Sequence, residues 1–233
     1  MRKIFRNTPN IITCLNLLAG CVACIFSFKI NETFGALTGY QMVFIMIGIA
    51  AVFDFCDGAS ARLLHAYSNM GKELDSLSDL ISFGLAPALL MFNTMNQFNS
   101  ESIISYFALY IAIMGALRLA KFNVDDSQAT TFRGLPIPAN ALFWIGMCSW
   151  INVHGYLGDI AMCIIIFFVA SLMISRMEML SLKFSNFNFR ENFRRYAIII
   201  AAILFVVVNG IEGFMWTIAF YVVISRMKVR IAE

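Results

Sequence analysis

Apolar residues fall into long uncharged runs along this chain, and short polar segments separate them. The runs cover 11–28, 41–53, 80–95, 103–117, 137–151, 160–175, 196–208 and 213–225. A helix needs about 20 mostly apolar residues to cross a bilayer. Several runs are shorter, but flanking polar residues extend them to the interface. The pattern predicts an all-α integral membrane protein, a bundle of about eight transmembrane helices. The last two runs are among the shortest, and six spans remain if that pair is re-entrant.

Composition agrees: 60% of residues are hydrophobic and only 13% charged, against roughly a quarter charged in a soluble domain. The charges also orient the chain. With a cytoplasmic N terminus, only Lys29 of the 17 Lys and Arg residues falls outside. That is the excess of inward-facing basic residues expected of membrane proteins. Both termini are therefore predicted cytoplasmic, which requires an even number of spans. The first run follows basic residues but lacks a convincing small-residue cleavage site, so it reads as a span and not as a signal peptide. A net charge of +3, concentrated on one membrane face, suits anionic lipid headgroups and argues against a nucleic-acid partner. The six cysteines read as small buried hydrophobes, since no metal-type CxxC pair is present. Segment 183–195 interleaves Phe184, Phe187, Phe189 and Phe193 with basic and amide residues. It is expected to form a helix lying on the cytoplasmic interface.

The informative polar stretch is "DFCDGASARLLHAYSNMGKELDSLSD", residues 54–79. Asp54 and Asp57 are three apart, and Asp75 and Asp79 four apart, so each pair shares one helical face. A turn between the pairs brings the two faces together. Four carboxylates in a low-dielectric place repel one another unless cations sit among them. An oxygen-only ligand set favours Mg²⁺ or Mn²⁺ over zinc. Gly58 leaves room for a ligand to approach the backbone, and Arg62 offers a fork of donors suited to phosphate. Two other readings are open on these residues alone. The carboxylates can pair with Arg62, Lys72 and Arg118, or they can line a divalent-cation transporter's path. A transporter site, however, usually lies near the bilayer midplane.

The stretch reads D-x2-D-G-x2-A-R-x8-G-x3-D-x3-D, with eight fixed residues over 26 positions. In this it resembles the signature of the CDP-alcohol phosphatidyltransferase family. The resemblance implies a membrane enzyme, generally a homodimer, with a six-helix core that moves a phosphoalcohol group from a CDP-linked donor to a hydroxyl and releases CMP. The core then corresponds to 1–180. Residues 181–233 add the interfacial segment and two C-terminal helices of the same domain. By the same resemblance, two divalent ions are held by Asp54 and Asp75, which touch both, by Asp57 on the first and by Asp79 on the second. Asp79 also resembles the general base. Gly58, Arg62 and Ser68 match positions that hold the CDP moiety. "PNIIT" resembles the nucleotide-contacting segment, which covers Asn10 to Thr13. Asn10 after Pro9 also reads as a helix N-cap.

Segments 115–124 ("GALRLAKFNV") and 132–141 ("FRGLPIPANA") resemble the phosphatidylserine synthase branch of the family. That implies CDP-diacylglycerol and L-serine as substrates at the cytoplasmic membrane face. A sibling acceptor, glycerol 3-phosphate or an inositol phosphate, is the alternative. Arg118 and Lys121, three apart on one face, and Arg133 in the following loop are candidates to bind the acceptor, although topology alone also explains them. Pro136 and Pro138 are expected to shape the start of the next helix.

Overall fold

The computed structural model describes residues 2–99, 103–124, 133–181, 186 and 188–226, and the side chains of all of these except 2–6, 190 and 191. The first helix, α1 (Arg2–Ser27), is followed by a small hairpin of β1 (Thr33–Phe34) and β2 (Leu37–Thr38). Then come α2 (Gly39–Leu63) and one continuous helical stretch made of α3 (Asn69–Asp79), a π-helical segment (Leu80–Leu85) and α4 (Ala86–Phe98). A 3₁₀ turn (Ile103–Leu109) leads into α5 (Tyr110–Val124), and α6 (Ile137–His154) and α7 (Asp159–Ser171) follow. The last two helices are α8 (Phe189–Asn209) and α9 (Gly213–Arg226). Hydrocarbon offers a backbone no hydrogen-bond partners, so runs of this polarity close their bonds internally as helices.

Among the described residues, five helical stretches are long and apolar enough to cross a membrane: Asn7–Ser27, Gly39–Leu63, Asn69–Phe98, Ile103–Val124 and Asn192–Arg226. Asp159–Ile174 is apolar but shorter. This is the architecture of an integral membrane protein. Large apolar side chains such as Val52, Phe55, Ile160, Phe168 and Val207 stand on the outside, where lipid chains would meet them. The stretch Asn192–Arg226 is not a straight rod. At Gly210–Glu212 the chain reverses, so α8 and α9 lie antiparallel with Phe205 against Phe220.

The centre of the bundle is α6, buried on all sides through Ile137, Phe143, Trp144, Ile145, Met147 and Ile151. A helix apolar all round belongs in a core. Near its start a polar contact is closed within the helix, where the Trp144 indole donates to Asn140 Oδ1 at 3.0 Å. On its other side Gly146 lies against the Met215 backbone, where a Cβ would come within 2.4 Å of the Met215 nitrogen. Helix α9 is thereby seated directly on the core. Pro136 occupies the cap of α6 and Pro138 its first turn, where a missing N–H costs nothing.

Several local expectations change. Helix α1 begins at Arg2 and carries Pro9 inside it, so Asn10 is not its N-cap, because helix already precedes the proline. Among the described part of 183–195 there is no separate interfacial helix: Phe189–Arg195 is the start of α8, continuous with the apolar run. Phe132, Lys183, Phe184, Phe187, Lys228 and Arg230 lie outside the described residues. Cys14, Cys21 and Cys56 are exposed and not buried, since each stands on the outer face of its helix. The π segment also went unforeseen. Pro87 has no N–H to give the Phe83 carbonyl, and Ala86 N–H bonds instead to Ile81, five residues back.

Candidate active site

Helix α2 does not stop at the end of its apolar run but continues through Asp54, Asp57 and Arg62 to Leu63. A short turn follows, with His65 at a positive φ of 50°. Ser68 then starts α3, its hydroxyl accepting from the Gly71 N–H at 3.0 Å. This helix–turn–helix returns Asp75 and Asp79 toward α2. One carboxylate oxygen each from Asp54, Asp57 and Asp75 lie within 4.8 Å of one another. Asp79, one turn deeper and buried, is not in that triad but lies within electrostatic reach of all three.

No described Lys or Arg makes an ion pair with any of the four. Lys72 donates to the Asn123 carbonyl at 3.1 Å, and Arg118 to the Arg133 carbonyl at 3.4 Å. The reading in which these carboxylates only pair with Arg62, Lys72 and Arg118 therefore fails among the described residues. In addition, Asp57 Oδ2 and Asp75 Oδ1 are buried without a hydrogen-bond partner. Buried carboxylate oxygens left without donors are costly. Together with the all-oxygen donor set, they fit a hard divalent cation.

Beside the triad opens a cavity of about 250 Å³, lined by Asn10, Thr13, Asp57, Gly58, Arg62 and Ser68, with Gly71 and Asp75 among the rest. All five residues expected to hold the donor thus face one space. Two glycines make that space. Over Gly58 nothing approaches closer than the Arg62 guanidinium, 4.0 Å from where a Cβ would stand. At Gly71 a Cβ would come within 3.0 Å of both Asn10 Oδ1 and Ser68 Oγ. The cavity holds a fork of donors, amide and hydroxyl groups and a carboxylate edge, a set suited to a phosphorylated ligand.

A family model described as CDP-alcohol phosphatidyltransferase matches residues 6–225 of this sequence. The chain belongs to the CDP-alcohol phosphatidyltransferase family. Among curated relatives, it is 36% identical over 154 residues to the CDP-diacylglycerol–serine O-phosphatidyltransferase of Methanocaldococcus jannaschii, a match covering 66% of each chain. It is 39% identical over 140 residues to the enzyme of the same name from Bacillus subtilis, covering 60% of this chain and 71% of the relative. It is 33% identical over 175 residues to the archaetidylserine synthase of Methanothermobacter thermautotrophicus, covering 73% and 68%. The matches span about two thirds of each of these relatives' own length.

The three acceptor candidates stand apart from the cavity of this transferase. Arg118 is buried on α5, Lys121 is exposed and bonds the Ile174 carbonyl at 3.4 Å, and exposed Arg133 pairs through its backbone with Glu178. One residue at the aspartate cluster was not singled out from the sequence. Asn16 of α1 is completely buried and donates from Nδ2 to Asp79 Oδ1 at 3.3 Å. Its signal was there to read: an amide within an uncharged span, one helical turn beyond Thr13.

Proposed function

We propose that this chain transfers a phosphatidyl group from CDP-diacylglycerol to the hydroxyl of L-serine, forming phosphatidylserine and releasing CMP. The observation that carries the reading is the triad of uncompensated carboxylates against a donor-lined cavity, in a family whose relatives here are named for serine transfer.

Asp54, Asp57, Asp75 and Asp79 would hold two divalent ions, Mg²⁺ or Mn²⁺. Bound there, such ions neutralise the diphosphate and the departing CMP oxygen. Asn10, Thr13, Gly58, Arg62 and Ser68 receive the CDP moiety, with Arg62 as the charged clamp and Gly58 as the open floor. Serine's hydroxyl is a weak nucleophile at neutral pH, so a base within reach of its proton speeds the attack. Asp79 takes that proton. The serine oxygen bonds to the β-phosphorus, the bond from that phosphorus to the CMP oxygen breaks, and CMP leaves with the electron pair. Direct attack inverts configuration at phosphorus. Arg118, Lys121 and Arg133 are assigned to the acceptor side.

The same reading places eight spans in the membrane, both termini in the cytoplasm and the site at the cytoplasmic face. What supports it is the distribution of charge. Arg62, Lys72, Lys121, Arg176 and Arg226 stand at the helix ends shared by the aspartates, and Lys29 at the opposite end. Residues 1–180 form the transferase core and 181–233 belong to the same domain, as the seating of α9 on α6 supports. The homodimer rests on the family resemblance alone.

Purified protein given CDP-diacylglycerol should release CMP with L-serine and yield phosphatidylserine by thin-layer chromatography. Preference for glycerol 3-phosphate or an inositol phosphate would overturn the serine assignment. Absence of CMP release with every acceptor would overturn the transferase.

A further inference from the structure

Helix α1 meets the stretch after Asp75 along one narrow seam. Thr13, Asn16 and Gly20 lie at i, i+3 and i+7 on a single helical face. Opposite them stand Ser78, Asp79 and Ser82. Ser78 Oγ donates to the Thr13 carbonyl and Ser82 Oγ to the Asn16 carbonyl, each at 3.1 Å. Gly20 lets the Ser82 backbone come close, since a Cβ there would lie 2.8 Å from the Ser82 Cα. The two backbones are thus pinned together around Asn16, whose side chain reaches Asp79.

From this geometry we propose that Asn16 is the positioning residue for Asp79, an inference that rests on Asp79 being the base. The amide's orientation follows from chemistry: only the NH₂ end can donate to a carboxylate, so Nδ2 faces Asp79 Oδ1. A neutral donor suits the task. It fixes the plane of the carboxylate without supplying a counter-charge, whereas Lys or Arg would compete with the cations for the same group. Held through Oδ1, the Asp79 carboxylate has its orientation fixed for taking the acceptor's proton. Asn16 Oδ1 meanwhile is buried with no hydrogen-bond partner. That cost makes little sense for a residue serving only to pack helices, where an apolar side chain of similar volume would do.

The test compares Asn16→Leu, nearly isosteric but without a donor, with Asn16→Gln, which keeps the amide, and with Asp79→Asn. Asn16→Leu should lower kcat about ten- to a hundredfold, the value of one hydrogen bond to a charged group. Its Kd for CDP-diacylglycerol, measured by equilibrium binding in the presence of Ca²⁺ or Mn²⁺ and without serine, should stay within about twofold, as should its thermal midpoint. Asn16→Gln should recover part of the loss. Adding Asn16→Leu to Asp79→Asn should cost almost nothing further, because the first acts through the second. Unchanged kcat in Asn16→Leu with an inactive Asp79→Asn overturns the positioning role alone. A fully additive double variant, or equal losses in donor binding and thermal midpoint, also overturns it in favour of a structural role. An active Asp79→Asn overturns the reading of Asp79 itself.

Discussion

A Cβ on Gly20 would stand 2.3 Å from the hydroxyl oxygen of Ser82, so the close approach of α1 to the π-helical segment depends on that glycine. The Ser82 Cα would lie only 2.8 Å away, so rotating its side chain aside does not relieve the clash. Gly20→Ala must therefore push α1 off the stretch that carries Asp79. Overpacking of this kind costs about 1–3 kcal/mol. Gly48, with nothing within 4 Å of its Cβ position, is the matched control. Gly48→Ala should be neutral or gain about 0.4–1 kcal/mol. Thermal unfolding of the two variants in detergent checks the contrast, and equal midpoints would show that the seam is loose.

Cation removal should stop the reaction. Three carboxylates whose nearest oxygens lie within 4.8 Å repel a diphosphate unless positive charge is placed among them, and no described basic side chain pairs with them. Excess EDTA should abolish CMP release, and Mg²⁺ or Mn²⁺ should restore it. Full turnover in EDTA would leave the cluster without its proposed purpose.

The two ends of the cluster should respond differently. Asp54 sits in the triad and Asp79 beside it, so Asp54→Asn should weaken both CDP-diacylglycerol binding and turnover. Asp79→Asn should remove most turnover and leave donor binding largely intact. Parallel binding and rate measurements separate the two, and identical profiles would contradict separate roles.

The helices were legible because each uncharged run must form its own backbone hydrogen bonds, and the aspartate pairing because spacings of three and four have one meaning on a helix. What escaped was relational. Asn10 looked like a cap because Pro9 usually opens a helix; here Arg2–Thr8 are helical before it. The π turn arises from Pro87, eight residues after Asp79. Asn16 showed only as one amide in an apolar run, and its meaning appeared when Ser78 and Ser82 were seen to pin the backbones around it.

Serine brings a carboxylate toward a place already crowded with negative charge, so its binding calls for a cation. Arg118, Lys121 and Arg133 differ sharply as candidates once their surroundings are known. Lys121 and Arg133 are exposed, where an ion pair contributes little. Arg118 is only 7% exposed, donates to the Arg133 carbonyl at 3.4 Å and has the Tyr221 hydroxyl nearby. Among the described residues no acid pairs with it, and a buried guanidinium without a counter-ion is a group waiting for an anion. Arg118→Gln should therefore raise the serine KM about ten- to a hundredfold, the loss of one charge-assisted hydrogen bond, with the KM for CDP-diacylglycerol little changed. Lys121→Gln and Arg133→Gln should shift it much less. Tyr221 donates to the Leu180 carbonyl at 3.0 Å, so it also ties α9 to the segment beside Arg118. Tyr221→Phe keeps the ring and loses that tie, and should raise the serine KM modestly in the same direction. Separate KM values for serine and CDP-diacylglycerol decide the matter. If Arg118→Gln weakens both substrates equally, Arg118 holds the donor or the fold; if it weakens neither, the acceptor lies elsewhere.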